Sequence, residues 1–194
     1  MKKIILIFIL KMFVLAHAGA QQAPAVPAVP AAAELSFTFT RQSGSASNQF
    51  AVWIENSEGQ LVKTLYASRW TANGGYARRP TSIPLWVSKS GLSGLSRAQV
   101  DAVSGATPAT GALVYTWNGT NSAGAAVPAG SYTLVLEATL RWENQVYYRA
   151  PINLGQLPAG QTSVTPQVSV EYSGERDTTA ERAMISNVRV RVLR

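Results

Sequence analysis

Apolar and polar side chains alternate one for one in a series of short stretches, and this period of two constrains the fold more than any other feature of the chain. From Leu35 to Thr40 the sequence reads Leu-Ser-Phe-Thr-Phe-Thr, the pattern of a strand with one face buried and one wet. Strands are likewise predicted at Gln49 to Glu55, Leu61 to Tyr66, Ala112 to Trp117, Ser131 to Glu143, Gln145 to Ile152, Thr165 to Tyr172 and Ile185 to Leu193. In the long Ser131 to Glu143 stretch, Tyr132, Leu134, Leu136, Ala138 and Leu140 share one face. Near the end, Arg189 and Arg191 alternate with valines and are expected to face outward. Ser82 to Val87, which holds Trp86, reads as a shorter strand. Pro84 inside it points to a sheet edge, because proline cannot donate to a ladder.

One helix is expected. Ser96 and Gln99 form a capping box, Ala98, Val100, Ala102 and Val103 supply apolar bulk, and Gly105 can end the helix. Two turns are too few to stand alone, so packing must hold them. About nine strands with one short helix, and no strand-helix alternation, predict an all-β fold: an antiparallel β-sandwich over residues 34–194.

The first twenty residues differ from the rest. Lys2 and Lys3 precede an apolar run from Ile4 to Leu10, which resumes after Lys11 and ends in small residues, Ala16-His17-Ala18 and Ala18-Gly19-Ala20. Positive start, apolar middle and small-residue exit predict an export signal over 1–20, cleaved after Ala20 or after Ala18. Lys11 makes the segment a poor membrane span. No cysteine follows it for a lipid anchor. Residues 21–33, QQAPAVPAVPAAA, are a Pro/Ala spacer of extended character. The expectation is a periplasmic protein with no membrane span after cleavage.

Export alters the chemical inventory. The only histidine, His17, lies within the leader, and there is no cysteine. The exported part would have no Cys/His metal site, no His or Cys ligand for haem and no imidazole for a catalytic triad. Asp occurs only at Asp101 and Asp177, too few for a carboxylate-rich calcium loop. Loss of Lys2, Lys3 and Lys11 lowers the formal net charge of +7 by three. The remaining cations are scattered, with Arg78-Arg79 the only adjacent pair in the exported part. Nucleic acid, which needs a basic stripe, is not an expected partner. Glu171, Glu175, Asp177 and Glu181, near Arg176 and Arg182, read as a solvated loop rather than a catalytic or metal cluster. No catalytic residue and no metal ligand is assigned.

Two motifs stand out. The first runs Trp117-Asn118-Gly119-Thr120-Asn121-Ser122-Ala123-Gly124, then Val127-Pro128-Ala129-Gly130-Ser131-Tyr132. It resembles the signature of Ig-like domains related to the flagellar hook-cap protein, where the aromatic ends one strand and the tyrosine opens the next. That resemblance implies an Ig-like sandwich and is nearly silent on function. The second is Asp101-Ala102-Val103-Ser104-Gly105-Ala106-Thr107. It resembles the D-x-x-[ST]-G-A-T motif of FMN-binding subunits in sodium-pumping NADH:quinone reductases, in which a flavin transferase links the FMN phosphate to the final threonine. The resemblance implies covalent FMN at Thr107, a turn shaped by Ser104 and Gly105, and Asp101 as the recognition acid. Pro108, just after the acceptor, holds Thr107 to extended conformations. The plainer reading of the same residues is a helix end, a glycine stop and a loop into the next strand.

A third resemblance spans most of the chain. Phe50-Ala51-Val52-Trp53-Ile54-Glu55, Leu61-Val62-Lys63-Thr64-Leu65, the Asp101 to Pro108 block and the Trp117 to Tyr132 block occur in that order. Together they resemble a family of predicted periplasmic proteins without assigned function, often encoded near PepSY-type membrane reductases, flavin transferases and iron-uptake genes. The implied role is accessory, in extracytoplasmic redox or iron handling, with a PepSY-type reductase or flavin transferase as partner. The leading expectation is a non-enzymatic binding or accessory protein without a cofactor. The alternative is a redox carrier with covalent FMN at Thr107.

Overall fold

Most of the alternating stretches do form strands. The computed structural model describes residues 32–43, 48–141, 143–174 and 183–193. In chain order its strands are β1 (Ala33–Phe39), β2 (Gln49–Asn56), β3 (Leu61–Ser68), β4 (Ser104–Gly105), β5 (Gly111–Trp117), β6 (Gly130–Arg141), β7 (Asn144–Leu154), β8 (Ser163–Val164), β9 (Ser169–Ser173) and β10 (Ile185–Leu193). They make one sheet of four, ordered β5-β1-β10-β8, and one of six, ordered β4-β3-β2-β6-β7-β9. The pairings are antiparallel except for β3 with β4, which is parallel. The fold is an all-β sandwich.

The two sheets close on the residues that the period of two selects. Leu35, Phe37 and Phe39 of β1 meet Phe50, Val52 and Ile54 of β2, with Leu134, Leu136, Ala138 and Leu140 of β6 and Val190 and Val192 of β10. Arg189 and Arg191 lie on the exposed side of β10, as expected.

The six-stranded sheet is also buried on its other face. Ala51 and Trp53 of β2 and Val135 of β6 are fully enclosed, beneath a cap built from the chain between β3 and β4. The cap holds an irregular helical turn (Thr71–Gly75), α1 (Tyr76–Arg78), α2 (Pro84–Lys89), a short 3₁₀ turn (Leu92–Gly94) and α3 (Arg97–Val103). Ile83, Trp86, Leu92 and Val100 fill the space beneath it. The molecule therefore has three layers, two of sheet and one of helices. The capping box forms as expected: Gln99 N donates to Ser96 Oγ at 3.3 Å and Ser96 N to Gln99 Oε1 at 2.9 Å.

Three sequence expectations need correction. Ser82 to Val87 is not an edge strand, because Pro84 opens α2. Proline at the first helical position gives up an amide with no intrahelical partner anyway. Ile83, just before α2, and Trp86 within it both enter the cap core. Instead of one helix, the described residues hold three short ones. Thr165 to Tyr172 is not one strand either. Ser163–Val164 pairs with β10 in one sheet and Ser169–Ser173 with β7 in the other, with Pro166 between them.

The expected leader, the spacer up to residue 31, most of the turn at 44–48, Trp142 and the charged stretch 175–182 lie outside the described residues. Among the described residues no helix is long and apolar enough to cross a membrane.

Candidate functional site

The Trp117 motif folds its own turn and ties it to Val62 and Lys63 of β3. Trp117 Nε1 donates to the Thr120 carbonyl at 2.8 Å, and Asn121 Oδ1 accepts from the amides of Ala123 and Ala125, both at 3.0 Å. Gly119 and Gly124 take φ of +71° and +81°, where a side chain would be strained. Tyr132 donates its hydroxyl proton to the Pro128 carbonyl at 2.8 Å, and its ring meets that of Trp117 edge-on at 5.2 Å. This block explains a corner of the sandwich and offers no chemistry.

The Asp101 to Thr107 block behaves differently. Asp101 sits exposed on α3, 3.8 Å from Arg97 one turn earlier, a pair too open to water to contribute much. Ser104 and Gly105 form β4, pairing with Ala67 and Ser68. Ser104 Oγ is buried with no hydrogen-bond partner among the described residues. Gly105 lies under the ring of Tyr66, where an added Cβ would fall 2.7 Å from Cε2. Tyr66 donates its hydroxyl proton to the Ala106 carbonyl at 2.9 Å, and its ring stacks on Phe50 at 4.6 Å. Burial raises the Tyr66 pKa, so the phenol keeps that proton. Phe50 and Tyr66 thus tie residues 105–106 to the inter-sheet core.

Fixed this way, Thr107 and Ala106 form one wall of a cleft of about 460 Å³. The facing wall comes from the cap: Arg69, Trp70, Asn73 and Arg78. Of the four residues singled out in the sequence, only Thr107 reaches this cleft; Asp101, Ser104 and Gly105 do not line it. Trp70 is 43% exposed, whereas Trp53, Trp86 and Trp117 are wholly enclosed. Its ring is backed by Gly75, where a Cβ would come within 2.5 Å of Cδ2 and Cε3. Only glycine permits that approach. Among the described residues neither Arg69 nor Arg78 has an ion-pair partner, and no carboxylate lines the cleft. Arg79, by contrast, feels the charge of Glu143.

A second depression of about 520 Å³ lies on the other flank of Asn73 and Gly74. Its walls include Leu92 and Val100 of the cap core, and its cation, Arg97, already faces Asp101. The first cleft is therefore the better candidate.

The enclosed carboxylate of Glu137 was missed in the sequence. It accepts from the amides of Leu85 at 3.0 Å and Trp86 at 2.7 Å. Burial pushes its pKa up to about 7, against the opposing pull of those amides and of Arg149. It holds α2 and does not line the cleft. Among the described residues no three His, Cys, Asp or Glu side chains gather as a metal set.

Arg69, Trp70 and Arg78 were also missed as a group. Trp70 and the Arg78-Arg79 pair are visible in the sequence, but no spacing rule links them to Thr107, about thirty residues later. Only the parallel β3–β4 pairing, which closes the cap back onto the sheet, brings the two segments together.

No curated protein and no solved structure matches the chain. Residues 32–172 match the model of a family described as predicted periplasmic protein, DUF2271. That span includes β1 to β7, the whole cap, the cleft and both motifs, while β10, which completes the inter-sheet core, lies beyond it. The chain belongs to the DUF2271 family of predicted periplasmic proteins.

Proposed function

We propose that this domain is an exported, non-enzymatic binding or accessory module, with the cleft between the cap and Thr107 as its working surface. One observation carries the reading: among the described residues, two arginines without carboxylate partners line a cleft with an exposed tryptophan and no acid. Such a surface is built to hold an anion. The residues after His17 contain no histidine or cysteine, which leaves few groups for acid–base or nucleophilic chemistry near neutral pH. In this reading the module serves an extracytoplasmic flavin or iron redox system, and its partner is a membrane-bound PepSY-type reductase or a flavin transferase.

A second reading, covalent FMN on Thr107, is favoured by the position of that residue on the wall of the same cleft. Arg69 and Arg78 would then be the cations available to the phosphodiester and Trp70 the aromatic available to the ring. The bound flavin would supply the electron transfer that no side chain here provides. Asp101, exposed on α3 away from the cleft, would remain open to the attaching enzyme.

Intact mass under native and denaturing conditions separates the readings, with protein taken from the periplasm of cells that also express a flavin transferase. The first reading expects an adduct that survives native spraying and is lost on denaturation. The second expects a yellow protein, heavier by one FMN even when denatured, with both properties lost in Thr107→Ala. A bare, colourless chain under both conditions counts against both.

A further inference from the structure

We infer that the cleft is a non-covalent site for a small phosphorylated compound carrying a flat ring, with Arg69 and Arg78 holding the phosphate and Trp70 the ring. The inference rests on the proposed role of the cleft as working surface and adds the class of ligand.

The charge argument comes first. Two guanidiniums line the cleft with no carboxylate beside them. A guanidinium presents a planar fork of donors that matches phosphate oxygens, and two of them offset the charge of a phosphate monoester. Asp101, an acid on the nearby α3, is turned to Arg97. The cationic group stops at these two residues, because Arg79 does not line the cleft. A site of two cations suits one phosphate group and not a polymer backbone, which needs a stripe.

The ring argument is geometric. An isolated exposed aromatic means little by itself. Trp70 is different because Gly75 supports it from behind, at a distance no other residue type would allow. Its indole is therefore held in place while 43% of the residue stays accessible. A pre-positioned ring loses little freedom when a second ring stacks on it. Asn73 and Thr107, also on the walls, add an amide and a hydroxyl that can meet the polar edge of a heterocycle. The volume of about 460 Å³ falls in the range of small-molecule sites.

The test uses the exported protein made without a flavin transferase, so that no covalent adduct forms. It is titrated calorimetrically with FMN, AMP, riboflavin and inorganic phosphate. FMN and AMP should bind, with riboflavin and phosphate each weaker by about tenfold or more. Arg69→Ala and Arg78→Ala should each weaken FMN by about tenfold and leave riboflavin unchanged. Trp70→Ala should weaken FMN and AMP but not phosphate. All three side chains are exposed, and unchanged thermal melts would show that the variants fold.

Failure of both FMN and AMP to bind at about 1 mM, or binding that survives the double arginine variant, overturns the inference. The broader reading is judged separately, by the adduct that the native protein carries from the periplasm. If that adduct is lost in the arginine or Trp70 variants while FMN and AMP fail, the surface is right and the ligand class wrong. If it survives all three variants, both proposals fall.

Discussion

The carboxylate of Glu137 lies 2.7 Å from the amide nitrogen of Trp86, and this hydrogen bond joins the helical cap to the sheet beneath it. Its other oxygen accepts from Leu85 N at 3.0 Å. Two residues along β6, Thr139 Oγ1 accepts from Ile83 N at 2.8 Å and donates to the Thr81 carbonyl at 3.1 Å. The outward face of β6 therefore satisfies the backbone of the turn that leads into α2. Ile83 sits there at φ +42°, a conformation that costs a β-branched residue about 1–3 kcal/mol. It is held because its amide is bonded and its side chain is fully enclosed.

Glu137 should make stability depend on pH in the direction opposite to that of a salt-bridged carboxylate. Burial raises its pKa to about 7, from an ordinary value of 4.5. Between these values the native chain keeps a proton that the unfolded chain has lost, so stability falls as pH rises through the window and levels off above it. The loss is on the order of 3 kcal/mol. Urea midpoints should therefore be lower at about pH 7.5 than at about pH 5. Glu137→Gln, which cannot ionise, should flatten that slope and cost about 1 kcal/mol at the lower pH. Equal slopes in the two proteins would show that Glu137 does not set the dependence.

The inter-sheet core could be read from the sequence because strand periodicity reports directly on one buried face, as in Leu35, Phe37 and Phe39 or the even-numbered residues of β6. The cap could not. Ala51, Trp53 and Val135 occupy the positions that alternation assigns to solvent, and their apolar character was the available sign that a further layer covers that face. The segment that supplies this layer is broken into helices of three to seven residues, too short to show a helical period. In Ile83-Pro84-Leu85-Trp86 the proline pointed to a strand edge only because Glu137, which receives α2, is more than fifty residues away. The same distance problem hid the cleft. Thr107 was visible as part of a motif, but Arg69 and Trp70 reach it only through the β3–β4 pairing.

That pairing can be probed at Gly105. Its φ is not strained, but a Cβ there would meet Tyr66 Cε2 at 2.7 Å. Tyr66 is stacked on Phe50 and bonded to the Ala106 carbonyl, so it has little room to move. Gly105→Ala should cost about 1–3 kcal/mol by overpacking. It should also speed amide exchange in residues 104–107. Gly94→Ala is the control, because nothing lies within 4 Å of its added Cβ. Equal urea midpoints for the two variants would mean that the Tyr66 contact does not fix the block.

Two tryptophans of the same cap should respond in opposite ways. Trp86 is fully enclosed, packs in the cap core with Trp53 and Val135, and donates from Nε1 to Thr64 Oγ1 at 3.0 Å. Trp86→Ala should cost about 3–5 kcal/mol, through the cavity it leaves and the bond it removes. It should also expose the amides of residues 83–87 to exchange, since Glu137 would cap a helix with nothing holding its far side. Trp70 is nearly half exposed and lies outside that core, so Trp70→Ala should stay within about 0.5 kcal/mol of the parent in urea melts. The contrast matters because a tryptophan whose loss leaves the fold unchanged is kept where it is by something other than stability. A Trp70→Ala melt as weakened as that of Trp86→Ala would make Trp70 a structural residue, and the cleft would lose its ring platform.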